Sequence, residues 1–252
     1  MPALESFDGT RLAYDVDGPD EGPAVVLLHG FASDATASWR ETGIVAALVT
    51  AGFRVVTFDA RGHGRSAKPH DDEAYRPPAM ARDVSAVLDE VGAESADLVG
   101  YSMGSTTAIV AASIEPRVRR LVLGGAGSTL LAANDESARQ RRRLGAAALD
   151  VDDASTLTHP AAVGLRRFVD ASPLNDRKAL AAVMRAEEGL PPGALDVTTP
   201  TLVLTGRDDD GAGDPQALAD ALPDAVARLV DGHHLSAVRD PGFTAAVVEF
   251  LS

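Results

Sequence analysis

The chain has 252 residues, 45% of them hydrophobic, enough to bury a sizeable core as one large domain or two small ones. It contains no cysteine, which excludes disulfides, thiol nucleophiles, thiolate zinc sites and iron–sulfur clusters. Twenty-three basic residues against 37 acidic ones leave a net charge of −14, a field that repels phosphate backbones and anionic membranes.

Near the start, Asp8-Gly9 reads as a turn and Arg11 to Val16 as the strand that follows it. Glu5, Asp8, Arg11, Asp15 and Asp17 stand where a signal peptide would need an apolar stretch. No uninterrupted apolar run exceeds that of Ile44 to Val49, far short of the ~18 residues of a membrane span. The expectation is a soluble, cytoplasmic protein that engages neither membrane nor nucleic acid. Ala24 to Leu28 is wholly apolar and closed by His29-Gly30, the pattern of a strand buried on both faces. Phe53 to Phe58 is a second such strand, closed by Asp59 and the glycines Gly62 and Gly64. Asp97 to Tyr101, Val118 to Leu123, Thr201 to Thr205 and Ala227 to Val230 complete the set. Helical periodicity lies between them at Glu41 to Thr50, Pro78 to Val91 and Met103 to Ser113, and again at Pro241 to Leu251.

The alternation stops between Gly124 and Thr199, where helical periodicity runs without a convincing strand. Helices are expected near Asp135 to Leu149, Pro160 to Val169 and Asp176 to Glu188, the last with Asn175 as N-cap. Pro191, Pro192 and Pro200 then force an extended return, and Asp208 to Asp214 reads as a loop. The expected fold class is therefore α/β, a mostly parallel central sheet flanked by helices. A helical lid, residues 125–199, is inserted before the last two strands of a core made of 1–124 and 200–252.

Gly100-Tyr101-Ser102-Met103-Gly104 falls where a buried strand meets a helix. A serine in such a turn projects from the end of the sheet, and side chains in place of the glycines would strike neighbouring backbone. The helix N-terminus beside it offers unpaired N–H groups to a developing oxyanion. Chance supplies roughly 0.1 copies of this pentapeptide in such a composition, before its strand–helix setting is required. A hydroxyl becomes a nucleophile only when a base takes its proton, so a histidine and an orienting acid are needed. His70 and His159 lie in polar surroundings as bystanders. His63 falls in the turn-forming loop Asp59 to Ser66, and His29 shapes the loop at Gly30-Phe31. His233 and His234 remain, after the last strand and before the last helix, with Asp208, Asp209 and Asp210 after the strand before.

These features together resemble an α/β-hydrolase-fold serine hydrolase over nearly the whole chain, in which nucleophile, acid and base follow in that order. The resemblance rests on His29-Gly30, the Asp59 to Ser66 loop, the serine elbow, Gly206-x-x-Asp209, and the histidine with Pro241 beyond it. In that family the acid commonly stands three residues after the glycine ending its strand, which selects Asp209. The histidine commonly precedes a proline by seven, which selects His234. The implied catalytic residues are Ser102, Asp209 and His234, with backbone N–H groups of Phe31 and Met103 as the oxyanion hole. The Phe31 side chain either lines the substrate pocket or packs against the insertion. His-Gly-Phe-Ala in place of His-Gly-Gly-Gly departs from the lipase and esterase branch that carries the latter. The implied reaction is hydrolysis of small to medium carboxylic esters, lactones included, through an acyl-enzyme on Ser102, with no metal or cofactor. Haloalkane dehalogenases and epoxide hydrolases of this fold carry aspartate where Ser102 stands. A carbon–carbon bond hydrolase, a cofactor-free perhydrolase, and a non-catalytic binding protein are the competing readings. Leu144, Leu149, Leu157, Leu165, Phe168 and Met184 suit a lid core or an apolar pocket. Arg139, Arg141, Arg142 and Arg143 cannot share one helix face and are expected to be solvated, unless one meets a carboxylated substrate.

Overall fold

A computed structural model describes residues 2–186 and 189–252. Eight strands form one sheet: β1 (Ala3–Glu5), β2 (Arg11–Asp17), β3 (Ala24–Leu28), β4 (Arg54–Phe58), β5 (Ala96–Tyr101), β6 (Val118–Gly124), β7 (Thr201–Gly206) and β8 (Ala225–Val230). Their spatial order is β1-β2-β4-β3-β5-β6-β7-β8, antiparallel at β1–β2 and β2–β4 and parallel from β4 onward. Of the apolar runs read as buried strands, β3, β5 and β7 are buried at every residue, β4 and β6 in most, whereas β8, at the sheet edge, leaves Val226 and Leu229 exposed.

Helices α1 (Ile44–Thr50), α2 (Pro77–Glu90) and α3 (Met103–Ile114) make the first crossovers. Four more, α4 (Ser128–Leu131), α5 (Glu136–Asp150), α6 (Pro160–Asp170) and α7 (Arg177–Ala186), occupy the segment between β6 and β7. The short α8 (Pro215–Asp220) joins β7 to β8, and α9 (Pro241–Leu251) ends the chain. Apolar faces cover both sides of the sheet. Ile109, Val84, Leu98 and Leu121 belong to the core on one side, and Trp39, Leu27, Val122 and Phe243 to the core on the other. None of the described helices is long and apolar enough to cross a membrane.

Several local expectations need correction. Helix α7 is capped by Asp176, which accepts from the N–H groups of Lys178 (2.9 Å) and Ala179 (3.1 Å), and not by Asn175. Both side chains are good caps; Asn175 is instead drawn off, its Nδ2 donating to Val169 O at 2.9 Å and Ala32 O at 3.3 Å. The last two residues of the helix expected over Asp176 to Glu188 lie outside the described residues. The segment before Thr50 is two pieces, a widened helical turn over Thr36–Arg40 and then α1, separated by Gly43 at φ +82°.

The helices between β6 and β7 bury their apolar faces partly among themselves and partly, through α7 and Leu130, against the rest of the molecule. Leu149, Val169, Leu180 and Ala181 form one cluster and Ala179, Ala182, Val183 and Ala186 a second. These clusters meet the rest of the molecule through Phe31, Ala32, Ala74, Tyr75 and Met103.

Candidate active site

The carboxyl ends of parallel neighbours β3, β5, β6, β7 and β8 lie along one edge of the sheet, where chain reversal between β3 and β5 opens a crevice. Ser102 follows β5 directly. It adopts φ +54° and ψ −114°, a strained conformation for a residue with a side chain, held by its N–H donating to Gly124 O at 2.8 Å. Helix α3 begins at the next residue.

His234 reaches this serine from the loop after β8, with Nε2 2.9 Å from Ser102 Oγ. Its Nδ1 lies 2.8 Å from Asp209 Oδ2, in the turn after β7. A carboxylate only accepts, so the proton of the neutral imidazole sits on Nδ1 and Nε2 is free to accept from the serine hydroxyl. Asp209 is buried while Asp208 and Asp210 are exposed. Burial pushes Asp209 up, but the bonds from His234 and from the Ala212 N–H (3.0 Å) outweigh it and hold the carboxyl below its ordinary range. His233 is exposed and turned away, its Nδ1 accepting from Leu235 N–H at 3.2 Å.

Among the described residues, the N–H groups of Phe31 and Met103 donate to no protein acceptor. Met103 opens α3, where N–H groups lack a carbonyl one turn back. The loop of Phe31 is fixed from two sides. Asp59 accepts from Ala35 N–H at 2.9 Å, and Ala32, at φ +53°, has its carbonyl tied by Asn175. Phe31 borders both cavities at Ser102 and also packs against the apolar clusters that include Leu149, Val169 and Leu180 of the insertion.

Tyr101 and Asn175 are site neighbours that sequence reasoning missed. The Tyr101 hydroxyl donates to His234 O at 2.7 Å and its ring stands 5.7 Å from the imidazole, supporting the histidine loop from below. Its place inside the glycine–serine motif carries no hint of that contact.

Two cavities share Phe31, Ser102 and His234. The larger, about 590 Å³, is walled by Ala32, Phe168, Leu235 and Val238. The second, about 400 Å³, runs past Met103, Thr106 and Gly125 to Arg141, Arg142 and Met184. Phe168 and Met184 therefore face cavities, whereas Leu149 is core.

His29 and His63 lie buried beneath the loop, ring centroids 5.2 Å apart. His29 Nε2 accepts from Ala60 N–H at 3.0 Å, which leaves its Nδ1–H to donate to Gly30 O at 2.8 Å. His63 Nδ1–H donates to Arg61 O at 3.0 Å, and its buried Nε2 has no partner among the described residues. Burial lowers both imidazoles; with His29 also beside it, His63 falls to about 3. The unfolded chain binds protons near the reference of about 6.5 while the folded rings stay neutral. Stability from the neutral rings is thus complete above that value and is lost as pH falls toward 3. His63→Gln is expected to flatten the dependence of urea-unfolding free energy on pH between roughly 6 and 4, by about 1.4 kcal/mol per unit. An unchanged slope would assign the acid sensitivity to other groups.

Fold and site together define a hydrolase architecture, and comparison with known proteins makes the class definite. A family model for the alpha/beta hydrolase fold matches residues 23–199, and the chain belongs to that family. It is 32% identical over 279 residues to RutD of Variovorax paradoxus, whose name proposes carbamate hydrolysis, with 96% of each chain covered. It is 44% identical over 110 residues to epoxide hydrolase B of Mycobacterium tuberculosis, covering 43% of this chain but only 30% of that relative's length. Among solved structures, a hydrolase from Pseudomonas aeruginosa PA01 superposes with a TM-score of 0.81 at 27% identity, over 100% of this chain and 98% of that one.

Proposed function

We propose that this protein is a serine hydrolase of small to medium carboxylic esters, lactones included, acting through an acyl-enzyme on Ser102. The observation that carries the reading is the hydrogen-bonded relay from Ser102 Oγ through His234 to buried Asp209. Attack of Oγ on the acyl carbon sends the hydroxyl proton to His234 Nε2, and Asp209 stabilises the imidazolium. The oxyanion is received by the Phe31 and Met103 N–H groups. Collapse returns the proton to the leaving alkoxide oxygen and leaves an ester on Ser102. Water, deprotonated by the same imidazole, then releases the acid and restores the serine. An ester has two limbs at its acyl carbon, and the two cavities that share Ser102 offer a place for each. The helices of residues 125–199, acting as a lid, wall both cavities and set substrate choice. Serine in the nucleophile position separates this chain from the aspartate-dependent epoxide hydrolases, despite its similarity to one of them.

The test is hydrolysis of nitrophenyl esters from acetate to dodecanoate, with Ser102→Ala alongside. Serine-dependent turnover peaking at a short or medium acyl chain is expected. Turnover that survives in Ser102→Ala, or none across the series, would count against the ester hydrolase.

A further inference from the structure

The four arginines of α5 divide into two pairs with different surroundings. Arg139 and Arg143, one turn apart, face Glu136 at 3.8 and 3.3 Å on the solvent side. Arg141, itself exposed, and Arg142 border the 400 Å³ cavity that reaches Ser102 and His234. Arg142 is half-buried, and its guanidinium donates to Ala133 O at 2.9 Å. Among the described residues neither guanidinium meets a carboxylate, and no acidic side chain lines this cavity. In a chain with 37 acidic residues and a net charge of −14, the two cations border a cavity whose wall, among the described residues, carries no carboxylate.

We propose that this cavity binds a carboxylate, so that the substrate is an ester or lactone bearing an anionic carboxylate on the limb lying against α5. This rests on the serine-hydrolase reading above and names its substrate class. An arginine fork presents parallel N–H donors matched to the two oxygens of a carboxylate, and the partial enclosure of Arg142 limits screening by salt. The larger cavity, walled by Phe31, Ala32, Phe168, Leu235 and Val238, takes the apolar limb. The substrate is thus polarised, anionic at one end and apolar at the other, with the scissile bond at the shared wall. A neutral ester would leave both guanidiniums without a carboxylate and gain no charge pairing from them.

The test compares two nitrophenyl phosphonates that differ only at the chain end, one carrying a free carboxylate and the other its methyl ester. Each loses nitrophenolate as Ser102 Oγ bonds to phosphorus, so capture rates are read by mass and by released nitrophenolate. The carboxylated probe is expected to react at least about tenfold faster at low ionic strength. Arg141→Gln and Arg142→Gln should each lower that ratio, and the double variant should bring it close to one. A ratio taken within one variant is insensitive to a partly unfolded fraction. Arg143→Gln, outside the cavity, should keep the wild-type ratio. Equal capture of both probes by the wild type, or an equal fall in Arg143→Gln, would overturn the carboxylate site and leave the serine-hydrolase reading standing. Capture of neither, with a control serine hydrolase reacting, would overturn both.

Discussion

Ser102→Ala will lose ester turnover by roughly 10⁴- to 10⁶-fold while the protein remains folded, because the substitution removes the only atom placed to form the acyl bond. Among the described residues the hydroxyl makes no other hydrogen bond than that to His234, so its removal leaves no buried group unpaired and stability should move little. His234→Ala is expected to fall as far, since Ser102 would then have no base within reach. The adjacent His233→Ala should retain most of the rate, as its ring is turned to Leu235 N–H and does not touch the relay. Measured kcat/KM for the three variants, with circular dichroism to confirm folding, decides the assignment. Comparable losses at both histidines would place the base elsewhere or make the loop act as a unit.

A second large effect concerns folding. Gly100 and Gly104 flank the serine, and a Cβ on either would strike backbone. At Gly100 it would overlap the Gly104 carbonyl, and at Gly104 the Leu28 carbonyl of the neighbouring strand. Those carbonyls belong to α3 and to β3, elements locked in the centre of the sheet, so neither can yield as a flexible side chain could. Gly104→Ala is therefore expected to cost about 3 kcal/mol or more, or to prevent folding outright. Gly164→Ala, in the exposed stretch of α6 where nothing lies within 4 Å of the added carbon, should be neutral or slightly stabilising. Urea midpoints of the two variants test this. A Gly104→Ala protein as stable as the wild type would mean that helix and strand can separate at the elbow.

The strands, the parallel sheet and the serine turn between β5 and α3 were legible because they rest on apolar runs and on glycines demanded by close backbone approach. Asp209 and His234 could be singled out only with the family spacing, since the burial of Asp209 and its hydrogen bond to His234 depend on tertiary packing. Strand β1 escaped notice because three residues carry no period, and its pairing with Arg11–Leu12–Ala13 is a tertiary outcome. The cap of α7 escaped because Asn175 and Asp176 are equally good caps locally, and a distant carbonyl at Ala32 decides between them. The division of the arginines had the same cause. Helical spacing tells which of them share a face, but only the packing of α5 against α7 tells which face looks into the cavity.

The clustering of the helices between β6 and β7 has a consequence for how such a protein can change over generations. The cluster of Leu149, Val169, Leu180 and Ala181 is shared among α5, α6 and α7, and their footing on the rest of the molecule is a limited set of side chains around Phe31 and Tyr75. Substitutions within them can therefore reshape the walls of both cavities while the nucleophile, its base and the sheet edge that carries them stay undisturbed. Descendants with new diets would be expected to differ first in this segment, and a mutant library confined to residues 125–199 should yield altered substrate ranges at little loss of folded protein.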